Sequence, residues 1–201
     1  MYYYCMTKTT SFGNHLGFYK ATKLPHYDEA GLIQSITFRL ADSLSPDHVY
    51  SLTHGQPDDS TLALFSAIDD ELDRNFGACW LRIPEIANLV RNALRHFHGE
   101  RYNLICWVIM PNHVHCIIQQ KENYPLAGIV KSWKAFTATR ANKILGREGR
   151  FWQRDYFDRY VRKRSQLEMA ADYIHYNPVA AGLCKRMEDW PWSSYRELSG
   201  M

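Results

Sequence analysis

His113 and His115 stand on alternate positions in MPNHVHCIIQ, directly after a turn-forming Pro-Asn pair. In a strand, alternate side chains point to one face, so the two imidazoles lie together while Val114 and Cys116 face the other way. Two neutral imidazoles side by side are half of a divalent-metal site. A pair of half-exposed surface histidines is the other reading of this spacing. A cupin would place a glutamate four or five positions after the second histidine, where Gln119 and Gln120 stand. An amidohydrolase would carry its pair in a much longer barrel. Neither describes this chain.

A third ligand and a nucleophile must then come from elsewhere, and the run SQLEMAADYIHYN offers both. At about 100° per residue, Leu167, Ala170, Ala171 and Ile174 form an apolar helix face, with Gln166, Tyr173 and Asn177 along its edge. Tyr173 and Asn177 are four residues apart, so one turn stacks a phenol beside an amide oxygen. Each has a plainer reading: a tyrosine at the core margin, and an asparagine that ends a helix before Pro178. His175 lies off this edge and is given no role.

The elements that must position these residues follow from hydrophobic period. Residues 1–30 show none and are read as an extension. LIQSITFRL (Leu32 to Leu40) alternates as a first strand, and Ser45 and Pro46 open a helical region. Asp58, Asp59 and Ser60 precede a helix with Leu62, Phe65, Ile68 and Leu72 on one side, and Pro84 begins another that ends near Gly99. YNLICWVIM and HVHCIIQ, joined by Pro111-Asn112, read as a β-hairpin. Leu126 to Leu145 is a helix, FWQRDYFDRYV contains a possible short strand, and the last helix stops at Pro178. This order predicts an α+β fold, a ferredoxin-like split βαβ antiparallel sheet with helices on one face, plus a C-terminal helix carrying Tyr173.

Charge is unevenly spread. Between Lys121 and Arg164 there are twelve Lys/Arg against four Asp/Glu, a balance of +8, and the remainder carries −5 of the total +3. Interleaved with Trp133, Phe136, Phe151, Trp152, Tyr156, Phe157 and Tyr160, this band has what phosphate neutralisation and base stacking need; a solvated helix face over buried aromatics is the alternative. The five cysteines are scattered, with no C-x-x-C pair, and read as reduced thiols. No apolar run is long enough to cross a bilayer, and the N-terminus lacks a signal-peptide pattern, so a cytoplasmic location is expected.

Taken together, MPNHVHCII, FWQRDYFDRYVR, ADYIHYNPVAAGL and WPWSSY resemble, in that order, the REP-associated tyrosine transposases, in the single-tyrosine branch of the HUH endonucleases. The resemblance runs from about Leu24 to Tyr195 and implies one catalytic domain over 31–195 with a tail at 196–201. It implies that His113 and His115 are metal ligands, that Tyr173 is the nucleophile, and that Asn177 completes the metal site. Many relatives have Y-H-V-T-x-R on the first strand; here Gln34-Ser35 replaces its Tyr-His pair.

The implied activity is a transposase: a Mg²⁺- or Mn²⁺-dependent single-stranded DNA endonuclease and strand transferase. It would cut near a hairpin of the repetitive extragenic palindrome type through a 5′-phosphotyrosine. Lys131, Lys134, Arg154, Arg159, Arg162, Lys163 and Arg164 are the candidate DNA contacts, and the protein would act as a monomer or homodimer. The rival expectation is a DNA-hairpin-binding protein of the same fold that does not cut.

Overall fold

The computed structural model describes residues 15–20, 24–44 and 61–198. The expected helix start at Ser45 and Pro46, the cap at Asp58 to Ser60 and residues 199–201 lie outside them, as do the side chains of Leu62 and Phe65.

A four-stranded antiparallel sheet organises the chain. In sequence order its strands are β3 (Ile33–Arg39), β4 (Tyr102–Ile109), β5 (His113–Gln120) and β6 (Phe157–Val161), and in space they run β4-β5-β3-β6. The later strand β5 sits between β3 and β4, which is the split βαβ arrangement. A two-stranded antiparallel hairpin, β1 (Gly17–Lys20) and β2 (Pro25–Asp28), precedes the sheet. Its strands are too short, and its buried residues too polar, to show a hydrophobic period. His26 and Asp28 are its inward residues: His26 binds Asp158 and approaches Asp155 (3.4 Å), and the buried Asp28 accepts from the Leu126 N–H (3.0 Å), Gln120 (2.8 Å) and the Leu16 N–H (3.1 Å).

The helices are α1 (Thr61–Leu72), α2 (Pro84–His96), α3 (Leu126–Ile144), α4 (Arg164–Ala180) and the short α5 (Tyr195–Leu198). α2 starts with Pro84, whose missing N–H falls among donors that no helical turn would satisfy. Ile86, Ala87, Val90, Ala93 and Leu94 recur at helical spacing and are buried. α3 likewise buries Leu126, Ile129, Val130, Trp133, Thr137 and Ala141. Both helices pack on the sheet face formed by Ile36, Phe38, Trp107, Ile109, Val114, Cys116 and Ile118.

The expectation of helices on one face is corrected by α4. On the opposite face Cys106, Val108, Met110 and Ile117 close over Ile174, Leu167, Ala170 and Ala171 of this helix. The physical reason is that β4 and β5 are apolar on both faces, so both need cover. α4 also continues past the expected stop: Pro178 lies inside it and the helix ends at Ala180. Proline sits there close to the C-terminus, where the loss of one ladder bond is tolerated, and the Ala181 N–H still reaches Asn177 O (2.9 Å).

Beyond α4 the chain returns along the free edge of β4. The Ile109 N–H donates to Trp192 O (2.8 Å) and the Ser194 N–H to Trp107 O (2.9 Å). His175 contacts Ser194 Oγ (3.0 Å), so this histidine ties α4 to the returning strap. The cysteines at 79, 106, 116 and 184 are free. Among the described residues no helix is long and apolar enough to cross a membrane.

Candidate active site

On β5, His113 and His115 point toward α4, with Val114 and Cys116 in the core on the other side. Both are sealed from solvent, at 0% and 2% exposure, with ring centroids 4.6 Å apart at an interplanar angle of 85°. Each ring is held through Nδ1. His113 Nδ1 meets Asn112 Oδ1 at 2.7 Å, and His115 Nδ1 meets Thr37 Oγ1 at 2.8 Å across the β3–β5 register.

Asn112 leaves no doubt about its own orientation, because its amide nitrogen donates to Leu72 O (3.2 Å) and Phe76 O (3.0 Å). Its oxygen therefore accepts, His113 carries its proton on Nδ1, and Nε2 presents a lone pair. His113 Nε2 and His115 Nε2 are both buried without a hydrogen-bond partner. Burial pushes the His115 imidazolium down to about 3 and holds His113 below its usual range, with His115 adding to the effect. These are neutral rings with free nitrogens, the state in which histidine binds a metal.

α4 brings Tyr173 over this pair. Its ring centroid is 6.0 Å from that of His115, and the side chain is 45% exposed. A cavity of about 430 Å³ is lined by both residues together with Ser35, Thr37, Asp69 and the β6 strand. Asn177, one turn further on, is 1% exposed, and neither its amide oxygen nor its nitrogen has a hydrogen-bond partner. An orphaned buried carboxamide is costly, and a hard-oxygen ligand role for Asn177 Oδ1 fits that state. Asn177 is not among the residues that line the Tyr173 cavity; the donors seen side by side are the two imidazoles, and neutral imidazole nitrogens are donors that divalent ions accept.

Two acidic residues complete the surroundings, and sequence reasoning passed over both. Tyr173 Oη donates to Asp69 Oδ2 at 3.4 Å, and Asp73 Oδ1 lies 3.7 Å from His113 Nε2. Burial, then repulsion from Asp73, raises the Asp69 carboxyl to about 7 against the lowering effect of its Tyr173 bond. Burial, then Asp70, raises Asp73 to about 7. Burial and the nearby Asp69 and Asp73 hold the Tyr173 phenol above its usual range. The available signal was DDELD at 69–73, which sets Asp69 and Asp73 one turn apart on a helix.

The basic candidates are divided by the fold. Arg159 is exposed and lines the Tyr173 cavity. Lys131, Arg154 and Lys163 are exposed. Arg162 is exposed and lies over the Tyr160 ring at 4.6 Å, and Arg164 pairs with Glu168 at 2.9 Å. Lys134 is different: its ammonium donates to Arg154 O (2.9 Å) and Asp155 O (3.3 Å), and burial lowers it to about 8. It ties α3 to the segment before β6. Gln166 is committed as well, its side-chain oxygen accepting from the Arg162 N–H (3.0 Å) and the Lys163 N–H (3.2 Å) at the start of α4.

This arrangement has relatives. The family described as transposase IS200-like matches residues 83–177, from the start of α2 to Asn177. A Haemophilus influenzae protein bearing the name REP-associated tyrosine transposase is 30% identical over 123 residues, 56% of this chain and 68% of the relative. The Escherichia coli REP-associated tyrosine transposase is 28% identical over 112 residues, 53% of this chain and 63% of that protein. The structure of a REP-associated tyrosine transposase bound to a REP hairpin superposes with a TM-score of 0.57 at 18% identity, covering 89% of this chain and 86% of the other, so the fold is shared. By its sequence relatives and its fold, the chain belongs to the REP-associated tyrosine transposases, a family of enzymes.

Proposed function

We propose that this protein cuts and rejoins single-stranded DNA beside a hairpin, with Tyr173 as nucleophile. The observation that carries this reading is the phenol of Tyr173 in one cavity with His115, above two buried imidazoles whose Nε2 atoms have no hydrogen-bond partner. Tyr173 Oη attacks the phosphorus, the bond to the 3′ oxygen breaks, and the products are a 5′-phosphotyrosine and a free 3′-OH. Asp69 Oδ2 accepts the phenolic hydrogen bond and is placed to receive that proton as the new bond forms. The 3′ oxygen leaves as a hydroxyl after taking a proton from solvent. A divalent ion held by His113, His115 and Asn177 would supply Lewis-acid stabilisation of charge on the phosphate oxygens.

The phosphotyrosine keeps the energy of the original ester, so attack by a second 3′-OH rejoins strands without a nucleotide cofactor. Arg159 on the cavity wall, with Arg154, Arg162 and Lys163 nearby in sequence, supplies positive charge for a DNA backbone. A relative of the same fold was captured on a REP hairpin, and we take a hairpin of that kind as the substrate class.

The test is incubation with Mn²⁺ or Mg²⁺ and end-labelled single-stranded hairpin oligonucleotides from the protein's own genomic neighbourhood, followed by denaturing gels. Wild type is expected to give a protein-linked DNA band that Tyr173→Phe lacks. Hairpin binding without any covalent product, across several oligonucleotides and both metals, would replace this reading with that of a non-cleaving hairpin-binding protein.

A further inference from the structure

We infer that the groove between α4 and the β3–β6 edge of the sheet, recessed at Ser35 and lipped by Met169 and Arg159, is a binding site for one unpaired nucleobase beside the phosphate that Tyr173 attacks. This rests on the strand-cleaving reading above and adds to it a site for the base next to the cut.

The way the sheet is covered leaves the space. α4 lies over Cys106, Val108, Met110 and Ile117 of β4 and β5, while the same face of β3 and β6 borders the cavity of about 430 Å³. Thr37 shows which side of β3 this is, because its hydroxyl meets His115, and Ser35, two residues earlier, shares its face. The register sets Ser35 between Ile117 of β5 and Arg159 of β6, in the row next to His115, Thr37 and Phe157. Its row neighbours are large and Ser35 is small, so the floor is recessed there.

The lining suits a flat, uncharged ring with a phosphate at its edge. Phe157, Val161, Ala170 and Ile174 give the cavity apolar walls, the surroundings in which an unstacked base is held. Met169 lines the same cavity and is 64% exposed, a polarisable thioether able to pack on an aromatic ring. Polar readout comes from the Ser35 hydroxyl and from Gln166, whose side-chain oxygen is taken by the Arg162 and Lys163 N–H groups, leaving its amide nitrogen to donate. Arg159 is exposed on the cavity wall, and the carboxylate of its neighbour Asp158 is taken up by His26. The volume falls within the roughly 300–1,000 Å³ of small-molecule sites. Tyr173 lines this cavity too, so a base seated in it brings the adjoining phosphate toward the phenol.

The experiment takes the hairpin oligonucleotide that gives the protein-linked band and remakes it with a single abasic nucleotide, at each position flanking the cut in turn and at a remote position as control. The rate of covalent product is read for wild type, Ser35→Phe, Met169→Ala and Arg159→Gln. In wild type one flanking abasic position should slow the reaction at least about tenfold, as for loss of one stacked base, and the remote one less than about twofold. Ser35→Phe fills the recess, so it should lose a like factor on intact DNA and be indifferent to the abasic change, the non-additivity of groups in contact. Met169→Ala alters an exposed side chain and should shrink the abasic penalty without lowering Tm. Arg159→Gln should weaken binding of every oligonucleotide alike and flatten its salt dependence while keeping the penalty.

No penalty at any flanking position in wild type, or a penalty undiminished in Ser35→Phe and Met169→Ala, would overturn the base site and leave the tyrosine chemistry standing. If Ser35→Phe does not fold in a thermal melt, Met169→Ala decides alone. Absence of covalent product from wild type on every oligonucleotide would overturn the strand-cleaving reading itself, and the base site with it.

Discussion

Asn112 is the residue whose replacement tests the construction of the site most directly. It is fully buried, and its carboxamide makes three contacts: the acceptor bond from His113 Nδ1 and the donor bonds to Leu72 O and Phe76 O. Asn112→Ala leaves the His113 N–H buried without a partner, which costs about 1–3 kcal/mol, and forfeits two further bonds worth about 0.5–1.5 kcal/mol each. Leu72 O keeps the Asn75 N–H (3.0 Å), which holds its share toward the lower figure. The expected loss is about 3 kcal/mol, a large part of the roughly 5–15 kcal/mol that stabilises a typical domain. In a chain of this size that lowers Tm by about 6–12 °C.

Urea and thermal unfolding of the two proteins at neutral pH would measure it. Asn112→Asp should be no better at pH 8, because a carboxylate can still accept from His113 but meets two carbonyl oxygens with no donor. Its folded-state pKa would be raised, so its deficit should shrink as pH falls and the carboxyl gains a proton to donate. An alanine variant within about 0.5 kcal/mol of wild type would refute the reasoning, since that is the scatter of ordinary surface substitutions.

Other consequences are as definite. Thr37→Val removes the hydroxyl that holds His115 Nδ1, and should weaken Mn²⁺ binding on the order of tenfold or more while leaving a folded protein; an unchanged titration would show that Thr37 does not orient the ring. His26 is raised from an ordinary 6.5 to about 9: burial opposes the charge, but hydrogen bonds to Asp155 and Asp158 outweigh it. Its contribution is therefore full below about pH 6.5 and lost as pH rises through 9. Amide exchange of Gly17–Lys20 and Pro25–Asp28 should accelerate over that interval beyond its ordinary pH dependence, and His26→Gln should remove the excess. Gly77 has φ +85° and a Cβ there would lie 2.6 Å from Asp42 O, so Gly77→Ala should cost about 2 kcal/mol or more in a urea melt, against a null result if the loop simply shifts.

Much of the architecture was legible in the chain itself. β3, the β4–β5 hairpin, α2 and α3 carry strong periods, and their boundaries in the structure lie within a few residues of those periods. The alternation of HVHCII sets both histidines on one face whatever covers it, because strand side chains alternate by covalent geometry. The spacing of Tyr173 and Asn177 is equally local, being one turn of helix.

What covers that face was not legible. Apolar residues on both sides of β4 and β5 call for two layers, but only packing shows that α4 supplies the second and carries Tyr173 to within 6.0 Å of the His115 ring. The first hairpin escaped notice because buried His26 and Asp28 hold it through polar bonds, and hydrophobic period is blind to those. Lys134 looked like a DNA contact because charge is visible in sequence, whereas the carbonyls it binds some twenty residues away are not. Asp69 and Asp73 are the sharpest case. The one-turn spacing in DDELD is equally that of a solvated acidic face, and the two carboxylates come beside Tyr173 and His113 only when Asn112, about forty residues further along, holds the end of α1. Residue type and spacing determined which groups could react; long-range closure of the fold decided which of them meet.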